Sequence, residues 1–153
     1  MKKSLYGLCA VLSLGWAGCQ QSGENHAAEK DSVFTTGCYR SVDGTDTALL
    51  TVRNYKTKTT GSLVFRFARK PANTGEISGK FHGDTLLADY VFQLAGEKQW
   101  HRNPVAFLRS GDKMILGVGK TQTMLGRTYF NPEVPIDYDR GRFTFLPQDC
   151  PKP

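Results

Sequence analysis

From Val33 onward, short runs of alternating apolar and polar residues are interrupted roughly every 8 to 12 positions by Gly, Asn, Asp or Pro. In one run, Leu63, Phe65 and Phe67 fall on the same side, because successive side chains of a strand point to opposite faces. Residues 86–92 repeat this period of two. No part of this region has the period of an amphipathic helix. The pattern therefore predicts an all-β domain over residues 33–153.

Turn residues such as Asp43-Gly44 and Ser110-Gly111 separate the runs, since glycine readily adopts the positive φ that tight connections need. Asn131–Gly141 is predicted as a longer loop, because Pro132 and Pro135 are incompatible with a central strand. The predicted strands are Phe34–Arg40, Thr47–Asn54, Gly61–Ala68, Gly75–His82, Thr85–Leu94, Pro104–Ser110, Lys113–Lys120, Thr123–Phe130 and Arg142–Leu146.

About eight or nine antiparallel strands joined by short hairpins form either a small up-and-down β-barrel or a sandwich. The period of two is the same in both architectures, so the pattern alone does not separate them. We favour the barrel, because closure removes the exposed sheet edges that promote aggregation.

The first 18 residues have the organisation of an export signal. Lys2 and Lys3 precede an apolar run over 5–14, which is too short for a permanent membrane span. Ala17-Gly18-Cys19 resembles the cleavage site of a bacterial lipoprotein, in which Cys19 is lipidated and becomes the new N-terminus. Trp16 departs from the aliphatic residue usual at its position. Ordinary cleavage, which would leave a secreted protein with a free Cys19, therefore stays open.

Residues 19–32 follow as a polar segment without a large apolar side chain. Such a stretch cannot offset its ordering entropy by burial, and we expect a flexible tether between lipid anchor and domain. The expected location is the cell envelope, attached to the membrane by the lipid. Gln20 after the cysteine favours the outer over the inner membrane, by analogy with enteric sorting.

Cysteine usage predicts one disulfide. Cys9 leaves with the signal and Cys19 carries the lipid, so Cys38 and Cys150 remain. In an exported protein two such cysteines are expected to pair. Their bond would restrict the unfolded chain by roughly 4 to 5 kcal/mol in the chain-entropy model.

Motifs for catalysis or metal binding are weak. The sequence contains neither CxxC nor HxxxH, so we predict no metal and no cofactor. It also lacks GxSxG. Gly117-Val118-Gly119-Lys120 lacks the spacing of a phosphate loop, and its glycines are interpreted as easing strand bending or close packing. Asp137 and Asp139 stand beside Arg140 without enough oxygen ligands for calcium. We therefore predict that the protein is not an enzyme.

The formal net charge is +6, from 20 Lys and Arg against 14 Asp and Glu. An anionic envelope polymer is a possible partner for a basic surface, whereas export removes the encounter with nucleic acid. Five basic residues cluster around one predicted hairpin and the connection after it: Arg53, Lys56, Lys58, Arg69 and Lys70.

A second candidate surface is Trp100-His101-Arg102, which follows Gly96-Glu97-Lys98 and is expected near a hairpin tip or barrel mouth. Exposed Trp, His and Arg can bind a ligand by stacking and charged hydrogen bonds. The alternative is that Trp100 simply closes one end of a barrel.

Several motifs together resemble a group of small, uncharacterised lipoproteins of Bacteroidetes-type bacteria. They are Gly37-Cys38-Tyr39 with Asp46-Thr47, Thr60-Gly61-Ser62-Leu63, Gly75-Glu76-Ile77-Ser78-Gly79, Gly83-Asp84-Thr85-Leu86-Leu87-Ala88-Asp89-Tyr90, Val105-Ala106-Phe107-Leu108 and Asp149-Cys150. The resemblance covers nearly the whole exported domain. It implies a fold rather than an activity.

Taken together, these features predict a lipid-anchored envelope lipoprotein with a non-catalytic binding role. The ligand would be a small apolar molecule inside the barrel or an envelope component near Trp100. The alternative is a protein partner, as in a lysozyme-inhibitor-like module or an envelope assembly factor. The basic surface disfavours lysozyme, which is itself usually basic. A hollow interior of a few hundred Å³ would favour the small ligand.

Overall fold

The computed structural model describes residues 34–152, and the predicted signal, Cys19 and tether lie outside these residues. The regular structure within 34–152 consists of ten β-strands. They are β1 (Thr35–Asp43), β2 (Asp46–Asn54), β3 (Thr59–Phe67), β4 (Lys70–His82), β5 (Thr85–Leu94), β6 (Trp100–Ser110), β7 (Lys113–Leu116), β8 (Thr121–Met124), β9 (Arg127–Phe130) and β10 (Thr144–Gln148). No helix long and apolar enough to cross a membrane is present among the described residues.

Eight of the strands close into an antiparallel barrel in the order β1-β10-β7-β6-β5-β4-β3-β2. Neighbours in sequence are neighbours in the barrel, except that β8 and β9 form a separate hairpin between β7 and β10. The prediction of a small up-and-down barrel is confirmed, and the sandwich is excluded.

The connections define two ends of the barrel. At the end called here the upper end lie residues 44–45, 68–69 and 95–99, and at the lower end lie 55–58, 83–84 and 111–112. Alternate residues of the strands point inward and form the core, as the period of two predicted. The fully buried side chains of largest volume are Phe107, Phe145, Leu50, Leu63, Ile77, Leu86, Met114 and Val52. Each contributes roughly 1.5 to 3 kcal/mol by leaving water.

The disulfide between Cys38 and Cys150 is present, with Cα atoms 5.2 Å apart. It joins the first barrel strand to the segment just after the last one, because β1 and β10 are neighbours and Cys38 lies opposite Gln148. Cys38 also lies opposite Thr51, whose side chain points outward, so the bond lies on the outer face of the barrel.

Several predicted strands differ in extent from the observed ones, and two of the differences lie in or beside the β8–β9 hairpin. Thr123–Phe130 is not one strand but the end of β8, a turn at Leu125-Gly126 and β9, because both turn residues have positive φ (52° and 74°). The predicted strand Lys113–Lys120 ends at Leu116. There the chain leaves the barrel, and Gly117 lies so close to the loop that a Cβ on it would be 2.6 Å from Cε1 of Tyr138. The interpretation of Gly117 as a close-packing glycine is confirmed.

The strand predicted from Pro104 begins earlier, at Trp100. β6 pairs with β5 along nearly its whole length, but with β7 only over Phe107–Ser110. Pro104 therefore lies in a part of β6 without a strand partner on the β7 side. A residue that has no N–H is tolerated at such an edge.

Candidate functional site: an aromatic cup at the upper end of the barrel

A cavity of about 530 Å³ occupies the upper end of the barrel, above the filled lower part of the core. We call it the cup. It is lined by Phe65, Phe67, Asn73, Tyr90, Phe92, Asn103, Pro104, Val105, Leu116, Gly117, Val118, Gly119, Thr121, Thr128, Phe130, Arg142 and Phe143.

The cup exists because the barrel wall is incomplete on one side. The upper part of β6 has no β7 partner, and the chain at 117–119 diverges from it. The β8–β9 hairpin contributes Thr121, Thr128 and Phe130 to the lining of this opening. Gly75 packs closely against Phe92 of the neighbouring strand, since a Cβ on it would lie 2.6 Å from the Cβ of Phe92. The cavity thus opens both at the end of the barrel and through its side.

Six of the seventeen residues that line the cup are aromatic. The rings of Tyr90 and Phe92 stack at 4.6 Å between centroids and 13° between planes, and Phe65 and Phe67 are nearly parallel at 6.0 Å. Phe143 lies 5.3 Å from Phe65 and closes the other side. The cup therefore presents flat, apolar surfaces to its contents.

Tyr90 does not offer its hydroxyl to a ligand. The Tyr90 Oη donates a hydrogen bond to the Leu63 carbonyl at 2.9 Å. Burial raises the pKa of this phenol above its usual range. Tyr90 thus acts in the wall as a neutral ring that is held in place.

The polar groups of the cup are mainly neutral. Asn73 lies opposite Leu94 near the upper end of β5, and Asn103 lies opposite Tyr90, further down. Neither side-chain amide makes a hydrogen bond to any residue within 34–152. Both amides are therefore free to donate to a ligand and to accept from it.

Arg142 is the one charged residue among those that line the cup. Its Nε donates to Asp43 at 2.6 Å and its Nη2 to Asp46 at 2.9 Å, and these bonds raise the pKa of the guanidinium. The pKa of the Asp46 carboxyl is lowered, first because the Ala68 N–H donates to it at 3.0 Å and then because of Arg142. The positive charge is thus already paired with two carboxylates.

A second ion cluster attaches the hairpin to the outer face of the barrel. Asp89 accepts hydrogen bonds from Arg102 at 2.6 Å and from Arg127 of β9 at 2.8 Å. The bond from Arg102 is the main reason why the pKa of Asp89 lies below its usual range. This cluster lies behind the cup wall and positions the hairpin that completes the lining.

The structure does not bring Trp100, His101 and Arg102 together. Trp100 is 61% exposed and points outward, as does Arg102, whereas His101 points inward and stacks on Phe92 at 5.3 Å. The reason is the alternation of the strand, since β6 begins at Trp100 itself. None of the three lines the cup.

The five basic residues are also separated. Arg53, Lys56 and Lys58 belong to the β2–β3 hairpin at the lower end, whereas Arg69 and Lys70 lie at the upper end. The nine residues of β3 stand between the two groups, which corresponds to roughly 30 Å at about 3.3 Å per residue. The five residues therefore belong to one hairpin and the connection after it, as predicted, but they do not form one continuous surface.

Candidate metal ligands are absent from the described part of the chain: no group of three His, Cys, Asp or Glu side chains could hold an ion there. Asp137 instead accepts bonds from the Asp139 and Arg140 N–H groups and pairs with the Arg140 side chain at 2.6 Å.

The sequence did not indicate the two polar residues Asn73 and Asn103 of the cup, because lone asparagines in a strand carry no motif. A usable signal was Gly117-Val118-Gly119, which interrupts a strand directly after the apolar Leu116 and marks where the wall opens.

Comparisons with protein-family models, with curated proteins and with solved structures gave no match to this chain.

Proposed function

We propose that this protein is a lipid-anchored component of the bacterial cell envelope whose barrel binds a small, largely apolar molecule in the cup. The observation that carries the proposal is the cavity of about 530 Å³ with aromatic walls and a few neutral polar groups. Ligand sites in proteins are typically apolar clefts of about 300 to 1,000 Å³ with a small number of oriented polar groups. An eight-stranded barrel is also of the size that holds one small ligand.

The proposed role is binding rather than catalysis. The titratable groups beside the cup are paired in ion clusters, as Arg142 is with Asp43 and Asp46. A general acid or base needs a free group directed at the reacting atom. A site of flat rings and amides is suited to holding a molecule unchanged.

The anchor and location are proposed from the sequence of residues 1–20. Lipidation at Cys19 would attach the barrel to a membrane, and the outer membrane is the favoured one. The test is metabolic labelling with a fatty acid in a bacterial host. The wild type is expected to be labelled and Cys19→Ala to be unlabelled and released into the soluble fraction. A blank result for the wild type would contradict the anchor.

Native mass spectrometry of the full chain, purified in mild detergent from its own host, tests the binding role. The expected spectrum contains a species heavier than the lipidated chain by the mass of one small molecule, which is lost on collisional activation. A spectrum with no such species, together with a lack of binding of added apolar molecules, would contradict the proposal.

A protein partner is the second candidate, and the tip of the β8–β9 hairpin favours it. Leu125 is fully exposed there and Met124 is 57% exposed. Leu125 and Met124 are consecutive, and contiguous exposed apolar surface marks sites of contact with a partner, whereas a single exposed apolar residue is common. A photo-crosslinking amino acid at position 125, irradiated in living cells, should yield one discrete product if this candidate is right and no discrete product if it is wrong.

A further inference from the structure

We infer that the cup selects uncharged ligands that contain a flat ring system and discriminates against anions. This inference rests on the proposed small-ligand function and specifies its chemical class. It follows from three properties of the lining: the orientation of its rings, the neutrality of its free polar groups, and the pairing of its one charged side chain, Arg142, with two carboxylates.

The ring faces define the shape of the ligand. The rings of Tyr90 and Phe92 are nearly parallel, as are those of Phe65 and Phe67, with 13° and 9° between planes. The two pairs are roughly perpendicular to each other, because the Phe65 and Tyr90 rings meet at 74° with 6.0 Å between centroids. Aromatic groups gain most when a ring is offset-stacked or meets another edge on. A planar ring in the cup therefore stacks on one pair while it meets the other edge on.

The free polar groups define the functional groups of the ligand. The Asn73 and Asn103 amides each carry two N–H donors and one carbonyl acceptor, and the structure leaves both unbonded within residues 34–152. Thr121 adds a hydroxyl from the hairpin. These groups satisfy neutral carbonyl, hydroxyl or amine substituents on a ring.

An anion would find no unpaired cation in the cup. Arg142 is held by Asp43 and Asp46, whose two negative charges outweigh its single positive charge. Arg69 and Lys70 do not line the cup itself but an adjoining surface depression beside the β3–β4 turn, which shares Phe67 and Arg142 with the cup. A carboxylate or sulfonate that enters the cup therefore loses its water without gaining a counter-charge, which is costly.

A matched pair of dyes provides the test. N-phenyl-1-naphthylamine is neutral, and 8-anilino-1-naphthalenesulfonate has the same two ring systems plus a sulfonate. Both are titrated by fluorescence against the full chain carrying Cys19→Ser, which prevents lipidation. We expect the neutral dye to bind and the sulfonate to bind at least about tenfold more weakly, because its charge must be desolvated without a partner.

A charge introduced into the cup should reverse the preference. Asn103→Lys is expected to strengthen binding of the sulfonate relative to the neutral dye by about tenfold, since it supplies the missing cation. Thr74→Lys is the matched control, because Thr74 is exposed beside Asn73 but does not line the cup. It adds the same net charge and should leave the ratio of the two affinities unchanged.

Melting curves of both variants show whether the barrel is folded. If the Asn103→Lys variant is not folded, Asn73→Lys is used in its place. Equal affinity of the wild type for both dyes, or an unchanged ratio in the cup variant, would overturn the inference but leave a small-ligand function standing. A co-purified anionic molecule would also overturn the inference and leave a small-ligand function standing. Failure of the wild type to bind either dye would count against the proposed function itself.

Discussion

Of the two buried hydroxyl groups at Ser41 and Thr59, one has a hydrogen-bond partner and the other has none. The Thr59 Oγ1 donates to the Asn54 Oδ1 at 3.0 Å, whereas the Ser41 Oγ has no hydrogen-bond partner among the described residues. Ser41 lies opposite Ala48 in the core, in a position suited to an apolar residue. The two residues therefore allow a direct comparison of a satisfied and an unsatisfied buried group.

Ser41→Ala should leave the free energy of unfolding unchanged or raise it by up to about 1 kcal/mol, because it removes a polar group that pays for desolvation without a bond. Thr59→Val should lower it by about 1 kcal/mol, because it leaves the Asn54 amide unpaired. Urea denaturation of the two variants and the wild type measures both effects. A clear loss of stability in Ser41→Ala would show that its hydroxyl has a partner.

Leu125 adopts a φ of +52° in the hairpin turn, a region that L-residues other than Asn, Asp and Gly seldom occupy. Leu125→Asn should stabilise the hairpin by roughly 1 kcal/mol, since Asn-Gly is favoured where both central residues have positive φ. Amide hydrogen exchange in β8 and β9 measures the change. Met124→Asn, which is also at an exposed position but lies in the strand, is the control and should bring no gain.

At the scale of the element, the β8–β9 hairpin depends on contacts outside its own two strands. A two-stranded ribbon is marginally stable alone. Arg127 connects it to the barrel through Asp89, which Arg102 also holds. The hairpin is therefore a part of the cup wall whose position depends on a solvent-accessible ion cluster.

Asp89→Asn should increase hydrogen exchange in β8 and β9 and speed release of a bound dye, while the melting temperature changes little. The reason is that half-exposed ion pairs contribute only about 0 to 1 kcal/mol to global stability. Asp84→Asn is the matched control, because it breaks the exposed Arg109–Asp84 pair at the lower end, and neither of these residues bonds to the hairpin. Equal exchange in the two variants would contradict the role of Asp89.

At the scale of the whole molecule, β10 closes the barrel with few paired positions. It pairs with β7 at two positions and with β1 at three, and the Cys38–Cys150 bond reinforces the second junction. The double variant Cys38→Ser, Cys150→Ser should lose roughly 4 to 5 kcal/mol of unfolding free energy, the value expected for a loop of this length.

Denaturation of the wild type with and without a reductant checks this prediction independently. Reduction should reproduce the loss seen in the double variant and have no effect on the variant itself. A wild type that is equally stable in both conditions would show that the paired strands alone hold the barrel closed.

Acid should weaken the fold through Asp46 and Asp89, whose pKa values are both lowered in the folded protein. The unfolded chain takes up these protons first as the pH falls. The stability contributed by the two groups is therefore fully present above about pH 4 and lost as the pH falls through the lowered pKa values. Denaturant midpoints measured across this pH range should fall less steeply in the double variant Asp46→Asn, Asp89→Asn than in the wild type.

The sequence by itself determined the all-β class, the core face of strands such as β3, and the pair Cys38 and Cys150. The physical reason is that these features are local or compositional. Side-chain alternation has a fixed period of two, glycine marks tight turns, and two cysteines in a domain that is predicted to be exported have few other partners. The same rules wrongly predicted one strand over Thr123–Phe130. The apolar–polar alternation continues across the turn, and Leu125 is not a residue type that indicates a turn.

Only the tertiary structure decided that the sheet closes, and that β6 and β7 part above Phe107 to leave a cup. Closure depends on which distant strands pair, and a cavity depends on where side chains are missing, neither of which has a sequence period. For the same reason the structure separated Arg53 from Arg69 and brought Asn73 and Asn103 to one cavity. Residues that are close in sequence lie at opposite ends of a strand, and residues from different strands meet inside the barrel.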